Sequence, residues 1–313
     1  MTALYFRAFR AFRVFRSFSF CKRYTLKCAP FQDKAPKLIV RDTVNSVRKE
    51  LFILGLARRS SVNLLLLERD EVAADGTVRL ADARAAHLIG VLKAAPGRTV
   101  RVGLADGPKG SGRVTRVGLD DVCLHCVFEE TVPERPPVDL LLALPRPKVL
   151  RRLWAQLAAL GVGRITLVNA WKVERMYFDT HVLAPELYRP LLIEGLQQAR
   201  DTRVPEVRIR RRFSALMNEM GSETVSDGEA RWLADPTAGA GLRQAMGRRS
   251  AATPSTRVLV AVGPEGGWTD RERASLQAHG FQGVSLGPRA LRSDTACVAL
   301  LALAHHVLRE TTA

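Results

Sequence analysis

Arg292 and Asp294 stand two residues apart in the run Leu286-Gly287-Pro288-Arg289-Ala290-Leu291-Arg292-Ser293-Asp294-Thr295-Ala296. Earlier in the chain, Val258-Leu-Val-Ala-Val-Gly263-Pro264-Glu265-Gly266-Gly267-Trp268 carries a further acid, Glu265, inside a second bend rich in Gly and Pro. Both runs have one build: a short apolar strand, a turn that no helix or sheet interior tolerates, then a helix start. Two such turns side by side leave backbone N–H and C=O groups facing open space, which suits a small polar ligand. A guanidinium beside that space can stabilise developing negative charge, and a carboxylate can move a proton or orient the arginine.

Other chemistries find less support. No G-x-G-x-x-G follows the first strand of the second half, and G-x-x-x-x-G-K-[ST] is absent, which argues against dinucleotide and P-loop phosphate sites. Cys123-Leu-His-Cys126 has metal-ligand spacing but lacks a second pair to complete four ligands, so these residues read as strand residues and no metal is expected. The five cysteines show no disulfide framework. His305 and His306, on the closing helix, read as packing or surface residues.

At 313 residues the chain is long enough for two cores. Its hydrophobic content of 47% and charged content of 25% are globular values, while its net charge of +17 is high. Residues 1–61 hold 14 Lys/Arg against 3 Asp/Glu, whereas residues 62–313 hold 34 against 28. The later part is moderately basic, which suits an RNA partner without requiring one. No apolar run reaches the length of a membrane span, so no membrane partner is expected.

In residues 1–61, phenylalanines recur every third position from Phe6 to Phe18, alternating with Arg7, Arg10, Arg13 and Arg16. That period keeps neither set on one helix face. Two readings stand. Either the segment is conceptual translation upstream of a start at Val62, or it is a disordered tail or mitochondrial presequence, poor in acids. The expected location is the cytoplasm, or the mitochondrion if the presequence is genuine.

The elements that position the two bends follow from patterning. Short apolar runs at 62–67, 77–80, 99–103, 112–117 and 122–128, with a helix over 83–93, predict a small, mostly antiparallel barrel over 62–132. Lys93, Arg98, Arg101, Lys109, Arg113 and Arg116 fall in or beside it, as a solvated face or an RNA-contacting one. Three prolines in 131–137 form a stiff connector. Strand–helix alternation then begins, predicting an α/β domain over 138–313. Strands are expected at 138–144, 164–168, 207–212, 231–233, 257–262 and 283–286. Helices are expected over 147–160, closed by Gly161, and over 185–200. Thr269-Asp-Arg-Glu272 forms a capping box for a helix ending at His279-Gly280, and a last helix spans 294–309.

The two bends together, Gly263-Pro264-Glu265-Gly266-Gly267 with Leu286-Gly287-x-Arg289-x-Leu291-Arg292-x-Asp294-Thr295-Ala296, resemble the pattern of RsmE-type 16S ribosomal RNA (uracil-N3)-methyltransferases of the SPOUT superfamily. The likeness runs from about Asn63 to the C-terminus and includes His87-Leu-Ile-Gly-Val-Leu-Lys93 with Pro96-Gly97. It implies a PUA-like β-barrel followed by a SPOUT α/β domain whose C-terminal segment forms a trefoil knot. It further implies S-adenosyl-L-methionine in the knot, a homodimer, and one N3-methylated uridine near the 3′ end of 16S rRNA in the small ribosomal subunit. Departures are Lys93 for a frequent Arg, Gly90 for a basic residue, Ala159 for Glu and Asp294 for Glu.

On that resemblance, Arg292 stabilises the uracil imide anion, with Arg289 as alternative. Asp294, then Glu265, handles the proton or orients the arginine, although Asp294 also fits as the N-cap of the last helix. The cofactor is expected against Val262, Gly263, Gly266, Gly267, Leu286, Gly287, Leu291 and Thr295. RNA contacts fall to Lys93, Arg98, Arg101, Arg113, Arg200, Arg203 and Arg289. The competing readings are a SPOUT 2′-O-ribose methyltransferase, disfavoured because Arg292-Ser293-Asp294 stands where those enzymes carry Asn, and a non-catalytic ribosome assembly factor.

Overall fold

The computed structural model describes residues 64–222, 229–239 and 257–312. The expected N-terminal extension over 1–61 lies outside the described residues. Two sheets organise the rest.

The first has five strands in the order β1-β3-β4-β5-β2: β1 (Leu65–Leu67), β2 (Thr77–Leu80), β3 (Thr99–Leu104), β4 (Lys109–Val117) and β5 (Val122–Phe128). Three of its four pairings are antiparallel and β1 runs parallel to β3, with β1 and β2 as the two edges. Helix α1 (Ala83–Gly90) packs against this sheet through Ala85 and Leu88, and Asp82 caps it by accepting the Arg84 N–H at 2.8 Å. The helix stops short of the expected 93 because Lys93 takes a left-handed φ of +50°. Strand alternation puts Cys123 and Cys126 on opposite faces of β5, so their spacing does not form a metal pair.

The second sheet is six parallel strands in the order β11-β9-β10-β6-β7-β8. These are β6 (Val138–Ala143), β7 (Val162–Val168), β8 (Glu206–Arg210), β9 (Glu229–Ala234), β10 (Arg257–Val262) and β11 (Gln282–Val284). Central β6 is buried at every position, as expected for a strand covered on both faces. Helices α2 (Pro147–Ala159), α3 (Pro185–Ala199), α4 (Phe213–Ser222), α5 (Asp270–Ala278) and α6 (Ser293–Thr312) complete this half. Proline opens both α2 and α3 at the first turn, and Gly161 at φ +76° ends α2. The capping box of α5 is present, and Gly280 at φ +83° follows its end. Residues 213–222, where sequence patterning predicts no element, form α4, which buries Leu216, Met217 and Met220.

Two cores result, and β1 serves both. Leu64 and Leu66 point into the core of the parallel sheet, while Leu65 and Leu67 point into that of the smaller one. Buried Thr202, just beyond α3, donates its hydroxyl to the Gly107 carbonyl at 2.6 Å, and Asp106 N–H donates to Thr202 O at 2.8 Å. Gly103 is needed there, since a Cβ would lie 2.6 Å from the Thr202 methyl. Among the described residues no helix is long and apolar enough to cross a membrane.

Candidate active site

All six strands of the second sheet run the same way, so the turns after β6, β9, β10 and β11 gather at its carboxyl edge, where open α/β sheets hold ligands. Val262 is the last residue of β10. The bend beyond it closes with Gly267 N–H donating to Pro264 O at 2.8 Å. Gly263 leaves room for the buried Trp268 ring, whose Nε1 would lie 2.9 Å from a Cβ there. That indole N–H is buried with no acceptor among the described residues.

Two glycines bare their backbone. Gly267 at φ +70° and Gly287 at φ +106° have nothing within 4 Å of where a Cβ would stand. Only glycine adopts the second angle without strain, and the missing side chain leaves the main chain open to a ligand. Beyond β11, the Ser285 hydroxyl accepts the Gly287 N–H at 3.2 Å.

β9 lies between β10 and β11, so the sheet inserts a third turn between the two bends. It is 235–238, locked by the Asp235 carboxylate, which accepts the Thr237 N–H at 2.9 Å and its hydroxyl at 2.7 Å. Asp235 N–H donates to Val284 O at 3.0 Å, tying this turn to the end of β11. The Asp235-Pro236 dipeptide after an apolar strand was the available signal for it.

The charged candidates are linked through α2. Arg146, at the N-cap of α2, lies 3.2 Å from Glu265 in the β10 bend. Arg152, further along α2, lies 3.6 Å from Asp294. Arg292 faces the same carboxylate at 3.7 Å and is largely exposed. Asp294 sits inside the first turn of α6, whose first residue is Ser293, and its Oδ1 accepts the Thr295 N–H at 2.9 Å. It is therefore not the N-cap. Lys172, on the loop after β7, donates its ammonium to Gly266 O at 2.7 Å. Arg146, Arg152 and Lys172 went unread because their partners lie far away in sequence. Leu286 packs on the core, whereas Leu291, Arg289 and Thr295 face solvent.

The expected RNA contacts divide. Arg101 faces Ser111 across the β3–β4 ladder, and Arg113 faces Thr99 on the same exposed face. Arg101, Lys109, Phe128 and Arg200 line one cleft of about 590 Å³. Arg203 is instead tied to Asp106, donating to its carbonyl at 3.2 Å. Arg98 donates to the Leu92 carbonyl and caps the end of the α1 region near Lys93.

Comparison with known proteins identifies the family and the fold. The RNA methyltransferase domain family matches residues 133–305. The chain is 31% identical over 252 residues to the ribosomal RNA small subunit methyltransferase E of Treponema pallidum (strain Nichols), covering 78% of this chain and 92% of that protein. It is 30% identical over 260 residues to the protein of that name from Synechocystis sp., covering 80% of each. In fold it resembles the crystal structure of a ribosomal RNA small subunit methyltransferase E from Neisseria gonorrhoeae bound to S-adenosyl methionine, with TM-score 0.61, 21% identity, and coverage of 77% of this chain and 96% of that one. A methyltransferase structure from Legionella pneumophila in complex with SAM gives TM-score 0.59 at 20% identity, covering 78% of this chain and 97% of the other. The chain belongs to the RNA methyltransferase domain family, among the ribosomal RNA small subunit methyltransferases E.

Proposed function

We propose that the chain is an S-adenosylmethionine-dependent rRNA methyltransferase acting on N3 of one uridine near the 3′ end of 16S rRNA in the small ribosomal subunit. The observation that carries this reading is the pair of bared glycines, Gly267 and Gly287, at the carboxyl edge of a parallel sheet with Arg292 and Asp294 beside the second. The residues present fit the cofactor. Open backbone at Gly267 and Gly287, with Val262, Gly263, Gly266, Leu286, Leu291 and Thr295 around it, would hold its adenine and methionine parts. When bound, the cofactor supplies a methyl group on a sulfonium, which departs as a neutral thioether.

Uracil N3 carries a proton at neutral pH and attacks only after losing it. The resulting imide anion spreads over N3, O2 and O4, where the Arg292 guanidinium stabilises it without giving up a proton. Asp294 is suited to orienting that arginine. Its Oδ1 holds the Thr295 N–H and faces Arg292, and Arg152 flanks it from α2. Glu265, engaged by Arg146, is the second candidate to receive the proton. Holding both reactants on one axis supplies much of the acceleration.

In this reading 62–132 is a PUA-like barrel that contacts RNA through Arg101, Arg113 and Arg200, with Lys93, Arg98, Arg203 and Arg289 as further candidates. Residues 138–313 form the SPOUT domain with its C-terminal knot, and two copies pair as a homodimer. Arg292 and Asp294, in place of an Asn, favour the base over the ribose hydroxyl. Incubating the protein with labelled cofactor and unmodified small subunits, followed by nucleoside analysis, tests the reading. 3-Methyluridine is expected, and a 2′-O-methylated product or none rejects it.

A further inference from the structure

Trp171 is 84% exposed, while the other three tryptophans, Trp154, Trp232 and Trp268, are at most 6% exposed. The loop that carries it is held at several points. Trp171 N–H donates to Glu272 Oε1 at 2.7 Å. Glu272 is itself buried, and its other oxygen accepts the Thr269 N–H at 2.8 Å and hydroxyl at 2.7 Å. Val173 N–H closes a turn on Ala170 O at 3.0 Å. The stem of Lys172 lies where a Gly266 Cβ would be, 2.9 Å from its Cδ, and its ammonium reaches the Gly266 carbonyl. The post-β7 loop is thus tied by hydrogen bonds to the β10 bend and to α5, and it carries an exposed indole next to the residue that contacts Gly266.

A large apolar ring kept in water on a fixed backbone calls for a partner with a flat face. We propose that Trp171 stacks on an unpaired base of the RNA substrate, next to the nucleotide drawn into the site. The proposal rests on the function proposed above. Extruding a target base leaves its neighbours without stacking partners, and an aromatic side chain supplies one whatever the base. Lys172, with Arg175 three residues on, adds positive charge suited to the accompanying phosphates.

The buried positions of the other tryptophans make Trp171 its own probe. A single-stranded oligouridylate added to the whole protein should quench its emission and shield it from acrylamide, and Trp171→Ala should abolish both effects. In methyl transfer to unmodified small subunits, Trp171→Ala should raise the apparent KM for the subunit about tenfold, the scale of one base stacked on an aromatic. Trp171→Phe should keep most of the wild-type value, and binding of S-adenosylhomocysteine should be unchanged in both. Emission indifferent to RNA, or a wild-type KM in Trp171→Ala, overturns the proposal. So does an indole that acrylamide cannot reach before RNA is added, together with dissociation of Trp171→Ala into single copies, which would assign it to a contact between chains. A wild-type protein that transfers no methyl refutes the function, while the fluorescence still decides the role of Trp171.

Discussion

Arg152 on α2 and Arg292 before α6 flank the same carboxylate, Asp294, at 3.6 and 3.7 Å. One guanidinium belongs to the helix that follows the first strand of the parallel sheet and the other to the bend that follows the last. The carboxylate between them couples a structural arginine to the proposed catalytic one. Arg152 is more than half exposed, so the pair adds little to stability, on the order of 1 kcal/mol or less. A double-mutant cycle of Arg152→Gln and Asp294→Asn should show near-additive melting temperatures but non-additive kcat, because both changes release the same side chain. Additive kcat effects would remove Asp294 as the orienting link.

Arg292→Ala should lower methyl transfer by roughly 10²- to 10³-fold, the usual cost of one donor to a developing oxyanion. Calorimetry should find S-adenosylhomocysteine bound as in wild type. Loss of cofactor binding with unchanged turnover at saturation would move the guanidinium from the base to the cofactor. Arg289→Ala, run in parallel, should have the smaller effect.

The glycines of the bends should respond differently to alanine. At Gly287, φ +106° strains any L-residue by about 1 kcal/mol or more, and the new methyl enters the open cradle. At Gly266 the Cβ meets only the flexible stem of Lys172, which can move aside. Gly287→Ala should therefore weaken cofactor binding strongly and Gly266→Ala mildly, as read by calorimetry. Gly263→Ala presses on the buried ring of Trp268 and should lower the melting temperature most of the three.

His305 links stability to pH. Its Nε2 lies 3.0 Å from the Gly161 carbonyl at the end of α2. Burial holds its pKa below the ordinary value; the bond to Gly161 opposes this shift, and nearby Arg309 adds to it. The folded state therefore favours the neutral ring, whereas the unfolded chain takes up a proton near pH 6.5. Stability is fully present above that pH and is lost as pH falls toward the depressed folded pKa. Urea midpoints at pH 7.5 and 5.5 should differ by less in His305→Gln than in wild type. An equal difference would place the pH response elsewhere.

Much of this was legible in the chain itself. The Thr269–Glu272 box, the Gly161 stop and the two bends are local features that residue types dictate within a few positions, and each is present. What sequence did not disclose is long-range. Glu272 looked like a helix cap, and it is one, but its second oxygen also grips the Trp171 backbone from another element. The two bends looked like neighbours, yet β9 and its Asp235 turn lie between their strands, because strand order follows from how the sheet closes its core. Arg203 reads in sequence as an RNA contact, yet its guanidinium is tied to Asp106 on a distant hairpin.

The register of β6 has a consequence for biosynthesis. Val138 to Leu142 pair with Val258 to Val262, residues translated long afterwards. One hydrogen-bonding edge of β6, a strand buried at every position, thus waits, unsatisfied, until almost the whole polypeptide has left the exit tunnel. The proposed methyl-donor cradle is consequently completed late, and a truncated product ending before residue 257 would emerge with that edge bare and prone to clump.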